Sequence, residues 1–210
     1  IDAYNKAIEF NPHNAETYNN LGTVLQDKGN LEPAIAAYRE ALEINPNLAN
    51  TYYNLGNALR EQGNLEHAVK TYHKALKINS SDSVEILNNL GLTLQEQGNL
   101  ERAIETYHKA LKTNPNSTNA HNNLGNALWK QGNLEHAIET YHKALEINPN
   151  NAITYYNLGN ILREQGELEL AIDAYNKAIE FNPHNAETYN NLGTVLQDKG
   201  NLEPAIAAYR

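Results

Sequence analysis

The sequence contains no cysteine and no methionine, and only one tryptophan and two phenylalanines among its 210 residues. Without cysteine there can be no disulfide, no thiolate metal ligand and no thiol nucleophile. That absence fits a reducing compartment, and a cytoplasmic location is expected. Basic residues are also scarce: 16 Lys and Arg against 25 Asp and Glu leave a net charge of −9. A nucleic-acid partner is therefore not expected, because phosphate binding needs a basic stripe. No apolar run approaches the roughly 20 residues of a membrane span and no signal peptide opens the chain, so no membrane partner is expected either. With Ile1 at its start and no methionine anywhere, the sequence reads as an excerpt from something longer.

What the sequence does contain is repetition. The dipeptide Leu-Gly recurs at Leu21-Gly22, Leu55-Gly56, Leu90-Gly91, Leu124-Gly125, Leu158-Gly159 and Leu192-Gly193, at spacings of 34, 35, 34, 34 and 34 residues. Complete repeats run over 15–48, 49–83, 84–117, 118–151 and 152–185, with a lone second helix (1–14) before them and a partial repeat (186–210) after. Each reads as two short helices. In the first, Tyr18, Leu21, Gly22 and Leu25 follow the i, i+3, i+4, i+7 spacing of one helical face. Gly29 ends that helix, since glycine takes the left-handed conformation of a C-terminal cap. Asn30 is placed to cap the second helix, with Glu32 near the positive end of its dipole. Leu31, Ala34, Ile35, Tyr38, Ala41 and Leu42 form the second buried stripe, and Asn45-Pro46 stops it. Gly22, Ala34 and Ala41 allow close approach, with Tyr38 expected to fill the space between neighbouring repeats. One such pair cannot bury its own apolar face, so neighbours must stack into a solenoid.

This frame resembles the tetratricopeptide repeat family over the entire chain, carried in the first complete repeat by Tyr18, Leu21, Gly22, Ala34, Tyr38, Ala41 and Pro46. The resemblance implies an all-α fold, an alpha-alpha superhelix of antiparallel helix pairs whose groove is lined mainly by first helices. Ser80 stands where the other repeats have proline, and one extra residue lies between Asn79 and Leu90. A longer turn is expected near Ser80-Ser81-Asp82-Ser83. Residues 1–39 and 172–210 are identical at all 39 positions, so a 171-residue block of five repeats recurs. This suggests a natural duplication, an assembled array or a window onto a periodic stack.

The most regular polar feature is the residue before each Leu-Gly: Asn20, Asn54, Asn89, Asn123, Asn157 and Asn191. Asparagine is a mediocre helix former, so its recurrence needs a reason. A carboxamide carries an acceptor and two donors and so matches a peptide group. Repeated along a groove, such amides can grip an extended backbone; alternatively they brace the stack. The ladder resembles the one in the tetratricopeptide domain of O-linked N-acetylglucosamine transferases. On the same face Asn57, Asn126 and Asn160 occupy one variable position, with Thr23, Leu92 and Thr194 at its equivalents. Tyr53 with Arg60, and Tyr156 with Arg163, repeat one pairing of hot-spot residue types. Trp129, the lone tryptophan, falls on this face as well. The carboxylate clamp of chaperone-binding members uses Lys, Asn and Arg on first helices; here the residue before each ladder asparagine is Asn or Tyr, never Lys, and no ladder position is Arg, so that sub-function is not expected.

No metal site is expected. His73, His108 and His142 sit on successive second helices, and no two histidines are spaced i, i+4. Asp2–Lys6, Glu105–Lys109, Glu139–Lys143 and Asp173–Lys177 read as helix-surface ion pairs. No nucleophile has a partnering base and no glycine-rich phosphate loop occurs, so neither catalysis nor a cofactor is expected. The leading expectation is a scaffold that holds a protein or extended peptide in its groove. The alternatives are the substrate-docking region of a larger enzyme, such as a glycosyltransferase, and end-to-end self-association.

Overall fold

The computed structural model describes residues 1–78 and 83–209. The turn expected at Ser80-Ser81-Asp82 lies outside them. Among the described residues there are thirteen α-helices and no strand, which establishes the all-α class. They fall into two compact halves, Ile1–Thr113 and Asn114–Arg210.

The first half opens with α1 (Asp2–Phe10) and continues with three helix pairs. These are α2 (Ala15–Asp27) with α3 (Leu31–Ile44), α4 (Ala49–Glu61) with α5 (Leu65–Ile78), and α6 (Val84–Glu96) with α7 (Leu100–Thr113). The second half holds α8 (Thr118–Lys130) with α9 (Leu134–Ile147), α10 (Ala152–Glu164) with α11 (Leu168–Phe181), and α12 (Ala186–Asp198) with α13 (Leu202–Ala208). Within each half the pairs stack, each second helix packing on the next first helix, and adjacent first helices also touching one another.

Local chemistry explains the boundaries. Asn14, Asn151 and Asn185 accept backbone N–H groups in the first turns of α2, α10 and α12, and Ser117 does the same for α8. Gly29 adopts φ 76°. Its N–H reaches the Gln26 carbonyl at 2.8 Å while the Asn30 N–H reaches Leu25 at 2.9 Å, which satisfies the carbonyls at the end of α2. Asn30 occupies the cap position of α3, but its side chain makes no capping bond. At the equivalent places Asn64 and Asn133 turn instead to His67 Nδ1 and His136 Nδ1, each 2.8 Å away. At these two places the side-chain cap is replaced by a contact three residues along the helix, while Asn99 keeps it, accepting from the Arg102 N–H at 3.4 Å.

The core of each half is built of alanines and tyrosines. Ala34, Tyr38 and Ala41, and their equivalents Ala68, Tyr72, Ala75, Ala137, Tyr141 and Ala144, have no exposed surface. Leu31 and Leu42, expected in the same stripe, are only half-buried. The Tyr38 ring lies on Gly22 of its own pair, where a Cβ would come within 2.6 Å of the ring edge. The same contact recurs at Gly56–Tyr72, Gly91–Tyr107, Gly125–Tyr141, Gly159–Tyr175 and Gly193–Tyr209. The glycine is therefore selected for volume and not for backbone freedom.

Of the expected surface pairs, Asp173–Lys177 is superseded, because Lys177 pairs with Glu180 at 2.7 Å; Glu66–Lys70 closes at 2.6 Å instead. Asp2–Lys6, Glu105–Lys109 and Glu139–Lys143 do not close. Exposed pairs of this kind hold little energy against water and side-chain entropy, so geometry this local is not fixed by spacing.

The glycine contact makes a signed prediction. By helix propensity alone, glycine to alanine inside a helix stabilises by about 1 kcal/mol. Gly125→Ala would place its Cβ 2.5 Å from the fully buried Tyr141 ring. It should instead destabilise by about 1–3 kcal/mol through overpacking, read as a lower midpoint in urea unfolding.

Candidate peptide-binding face

All fourteen sequence-predicted site residues lie on first helices and all are half-buried: Asn20, Asn54, Asn89, Asn123, Asn157, Asn191, Asn57, Asn126, Asn160, Tyr53, Tyr156, Arg60, Arg163 and Trp129. Spacing explains the placement. Tyr53, Asn57 and Arg60 stand at i, i+4 and i+7, as do Tyr156, Asn160 and Arg163, so each trio forms one stripe.

The amides are tied into the fold from both sides. In three pairs the core tyrosine donates its hydroxyl to the asparagine three places after the ladder asparagine. Tyr72 donates to Asn57 Oδ1 at 2.7 Å, Tyr141 to Asn126 Oδ1 at 2.6 Å and Tyr175 to Asn160 Oδ1 at 2.8 Å. Tyr38 reaches Gln26 Oε1 at 2.9 Å and Thr23 at 3.4 Å. The variable position therefore first serves a buried phenol, a role that spacing alone did not reveal.

The ladder asparagines reach back to the preceding first helix. Asn89 Nδ2 donates to Asn57 Oδ1 at 2.8 Å and to the Tyr53 hydroxyl at 3.0 Å. Asn191 Nδ2 repeats this with Asn160 Oδ1 at 2.9 Å and Tyr156 at 3.4 Å. Asn54 and Asn157 donate to Asn19 and Asn122, each at 3.2 Å. Asn20 accepts only from Asn19, at 3.4 Å. Asn123 makes no side-chain hydrogen bond to a described residue. Most ladder amides thus brace adjacent first helices through their N–H groups. Their oxygens, and the N–H groups of Asn57 and Asn160, stay unpaired and outside the buried interior.

A further contact joins the helix ends. Six residues after the ladder asparagine, Gln26 donates to Glu61 at 2.9 Å, Arg60 to Glu96 at 3.0 Å and Trp129 Nε1 to Glu164 at 2.6 Å. The tryptophan is consequently anchored to an acid of the next first helix. Each stripe tyrosine also leans on the core: the Tyr53 and Tyr72 rings lie 6.4 Å apart, as do those of Tyr156 and Tyr175.

One repeat breaks the pattern. Leu92 stands where Asn57, Asn126 and Asn160 stand elsewhere, and Tyr107 keeps a buried hydroxyl with no partner. Gln95 Oε1, at the place where Gln26 receives Tyr38, is buried and unpaired too. Burial pushes the phenols of Tyr72, Tyr107 and Tyr141 well above their ordinary range. It pushes Tyr175 up to about 12, with the nearby Arg163 pulling the other way. Among the described residues no cluster of His, Asp or Glu could hold a metal ion, and no helix is long and apolar enough to cross a membrane.

Comparison with known proteins places the chain among helical-repeat proteins. Family models described as tetratricopeptide repeat match residues 15–81, 47–116, 88–152 and 140–173, and one described as TPR repeat matches 159–200. A crystal structure of MamA is 30% identical, with a TM-score of 0.66 over 74% of this chain and 90% of that one. YrrB, described as a TPR protein with an unusual peptide-binding site, is 28% identical, with a TM-score of 0.68 over 94% and 98%. PilF of Pseudomonas aeruginosa is 24% identical and shares the fold with a TM-score of 0.79 over 92% and 88%. No curated protein matches the chain.

Two predictions follow from the tyrosines. Tyr141→Phe strands the Asn126 oxygen and should cost about 1–2 kcal/mol in urea unfolding, whereas Tyr107→Phe removes an unpaired hydroxyl and should be neutral or mildly stabilising. The raised phenol values also set an alkaline limit. Below about pH 10 both states keep the proton and stability is complete; above it the unfolded chain ionises first. Stability should therefore fall as pH rises towards about 12, the Tyr175 value. The share of tyrosinate absorbance that belongs to Tyr72, Tyr107, Tyr141 and Tyr175 should appear together with loss of helix signal, not before it.

Proposed function

Because the chain belongs to the tetratricopeptide repeat family, we propose that its first-helix face holds an extended segment of a partner protein, gripped through backbone-matching amides. One observation carries this reading. Where Asn89 spends both N–H groups on Asn57 and Tyr53, its oxygen remains an acceptor; where Asn57 spends its oxygen twice, its N–H groups remain donors. Asn191 and Asn160 repeat the arrangement. One acceptor and one donor at each of these two junctions is the complement of a peptide group. The internal bonds fix the rotamers of these amides before a ligand arrives, which lowers the ordering cost of binding.

Each amide contact contributes about 1 kcal/mol net, so affinity depends on several repeats acting together. Tyr53, Tyr156 and Trp129 add apolar area beside the amides, and these aromatic types dominate interface energetics. The peptide-binding site described for YrrB is in keeping with such a use.

Asn123 allows a clean test, since it makes no internal side-chain bond. Asn123→Ala should weaken capture of partners from a lysate about fivefold, equivalent to about 1 kcal/mol, with an unchanged melting temperature. The variant lacking Asn54, Asn89, Asn123 and Asn157 should lose capture and also melt earlier, because three of those amides brace neighbouring helices. Full capture by both variants would refute the reading.

A further inference from the structure

Equivalent positions in the two halves show a difference that the repeat pattern does not predict. On the first-helix face, Gln26, Arg60 and Trp129 each donate to a glutamate at the end of the next first helix: Glu61, Glu96 and Glu164. Arg163 is the next member of this series. The residue at the place of those glutamates is Asp198, one methylene shorter. No ion pair forms between them, and Arg163 makes no side-chain hydrogen bond to any described residue. Lys199, beside Asp198, turns away to Glu169 at 3.0 Å.

Arg163 belongs to a stripe of the same residue types as that of Arg60. Tyr156 and Asn160 share its stripe as Tyr53 and Asn57 share that of Arg60, and the two tyrosine pairs match in separation and tilt, at 6.4 Å and 52–53°. Asn160 spends its oxygen on Tyr175 and Asn191, so its N–H groups are available beside the guanidinium. The hydroxyl of Tyr156 leans towards Glu187 at 3.5 Å, whereas the arginine end of the stripe pairs with no carboxylate. Arg60 shows what that end accepts: a carboxylate oxygen of Glu96 at 3.0 Å from Nη1.

We propose that Arg163, with Asn160 beside it, receives the side-chain carboxylate of an acidic residue in the bound partner, in the position that Glu96 takes against Arg60. This rests on the reading of the face as a peptide-binding surface and specifies its chemistry. The first half carries the same subsite closed by its own glutamate; the second carries it open. A half-buried guanidinium is a strong donor to a carboxylate and a poor match for a neutral amide, so the subsite selects charge as well as shape.

The test uses the whole chain, isotopically labelled, with the Arg163 Nε–Hε resonance followed by NMR. The probes are an acetylated, amidated peptide with one Glu among Gly, Ser and Asn, and its Gln counterpart. The Glu peptide should shift the resonance, and the Gln peptide should bind about tenfold more weakly. Asp198→Glu restores the missing methylene and should abolish the preference by closing the subsite. Glu96→Gln should open a second response, at Arg60. A Glu peptide that leaves Arg163 unmoved, or shifts it no more than the Gln peptide does, overturns the proposal. So does a preference that persists in Asp198→Glu. The two readings fail separately: loss of capture in Asn123→Ala without a Glu preference here removes only the carboxylate subsite, whereas undiminished capture removes the peptide-binding reading itself.

Discussion

The contact between a tyrosine ring and a helical glycine is the constraint on which the rest of this structure depends. In every pair the second-helix ring occupies the space that a Cβ on the first helix would fill, with atoms 2.5–2.6 Å from that notional carbon. This brings the two helices close enough for Ala34, Ala41 and their equivalents to be buried. It also decides where the phenol oxygen ends. A ring held flat on Gly56 or Gly159 directs its hydroxyl to Asn57 or Asn160, four residues after the tyrosine of the stripe. Packing in the core thereby sets the polar geometry of the surface.

From that point order is handed from one repeat to the next. Tyr72 fixes Asn57, Asn57 receives Asn89, and Asn89 also binds Tyr53. A buried phenol, a half-buried amide and a ladder amide form a single chain of hydrogen bonds linking two repeats. Such a network leaves few polar atoms stranded where it is complete. Where Leu92 interrupts it, two stranded atoms appear together, the hydroxyl of Tyr107 and Oε1 of Gln95. The defect shows that the network is a property of particular side chains and not of the repeat frame.

The same division explains how binding and bracing share the asparagines. The sequence-level alternatives set peptide contact against internal support, but a carboxamide has both donors and an acceptor and can do both. Donors are used inward and oxygens remain outward on Asn89 and Asn191, with the opposite split on Asn57 and Asn160. Rigid positioning and ligand contact are served by different atoms of one group.

The sequence alone settled the helices, their pairing and the family, because all three follow from periodicities visible along the chain. Leu-Gly every 34 or 35 residues, glycine at each first-helix end and proline after the second are local signals acting on local backbone. It also placed Asn54, Tyr53, Arg60 and their equivalents on one face. Only tertiary structure decided which partner each side chain takes, since those partners lie 31–36 residues away and a difference of one methylene separates the paired Arg60 from the unpaired Arg163. Spacing reports which face a residue occupies. Whether two charged groups on that face meet depends on reach in three dimensions, which no periodicity along the chain records.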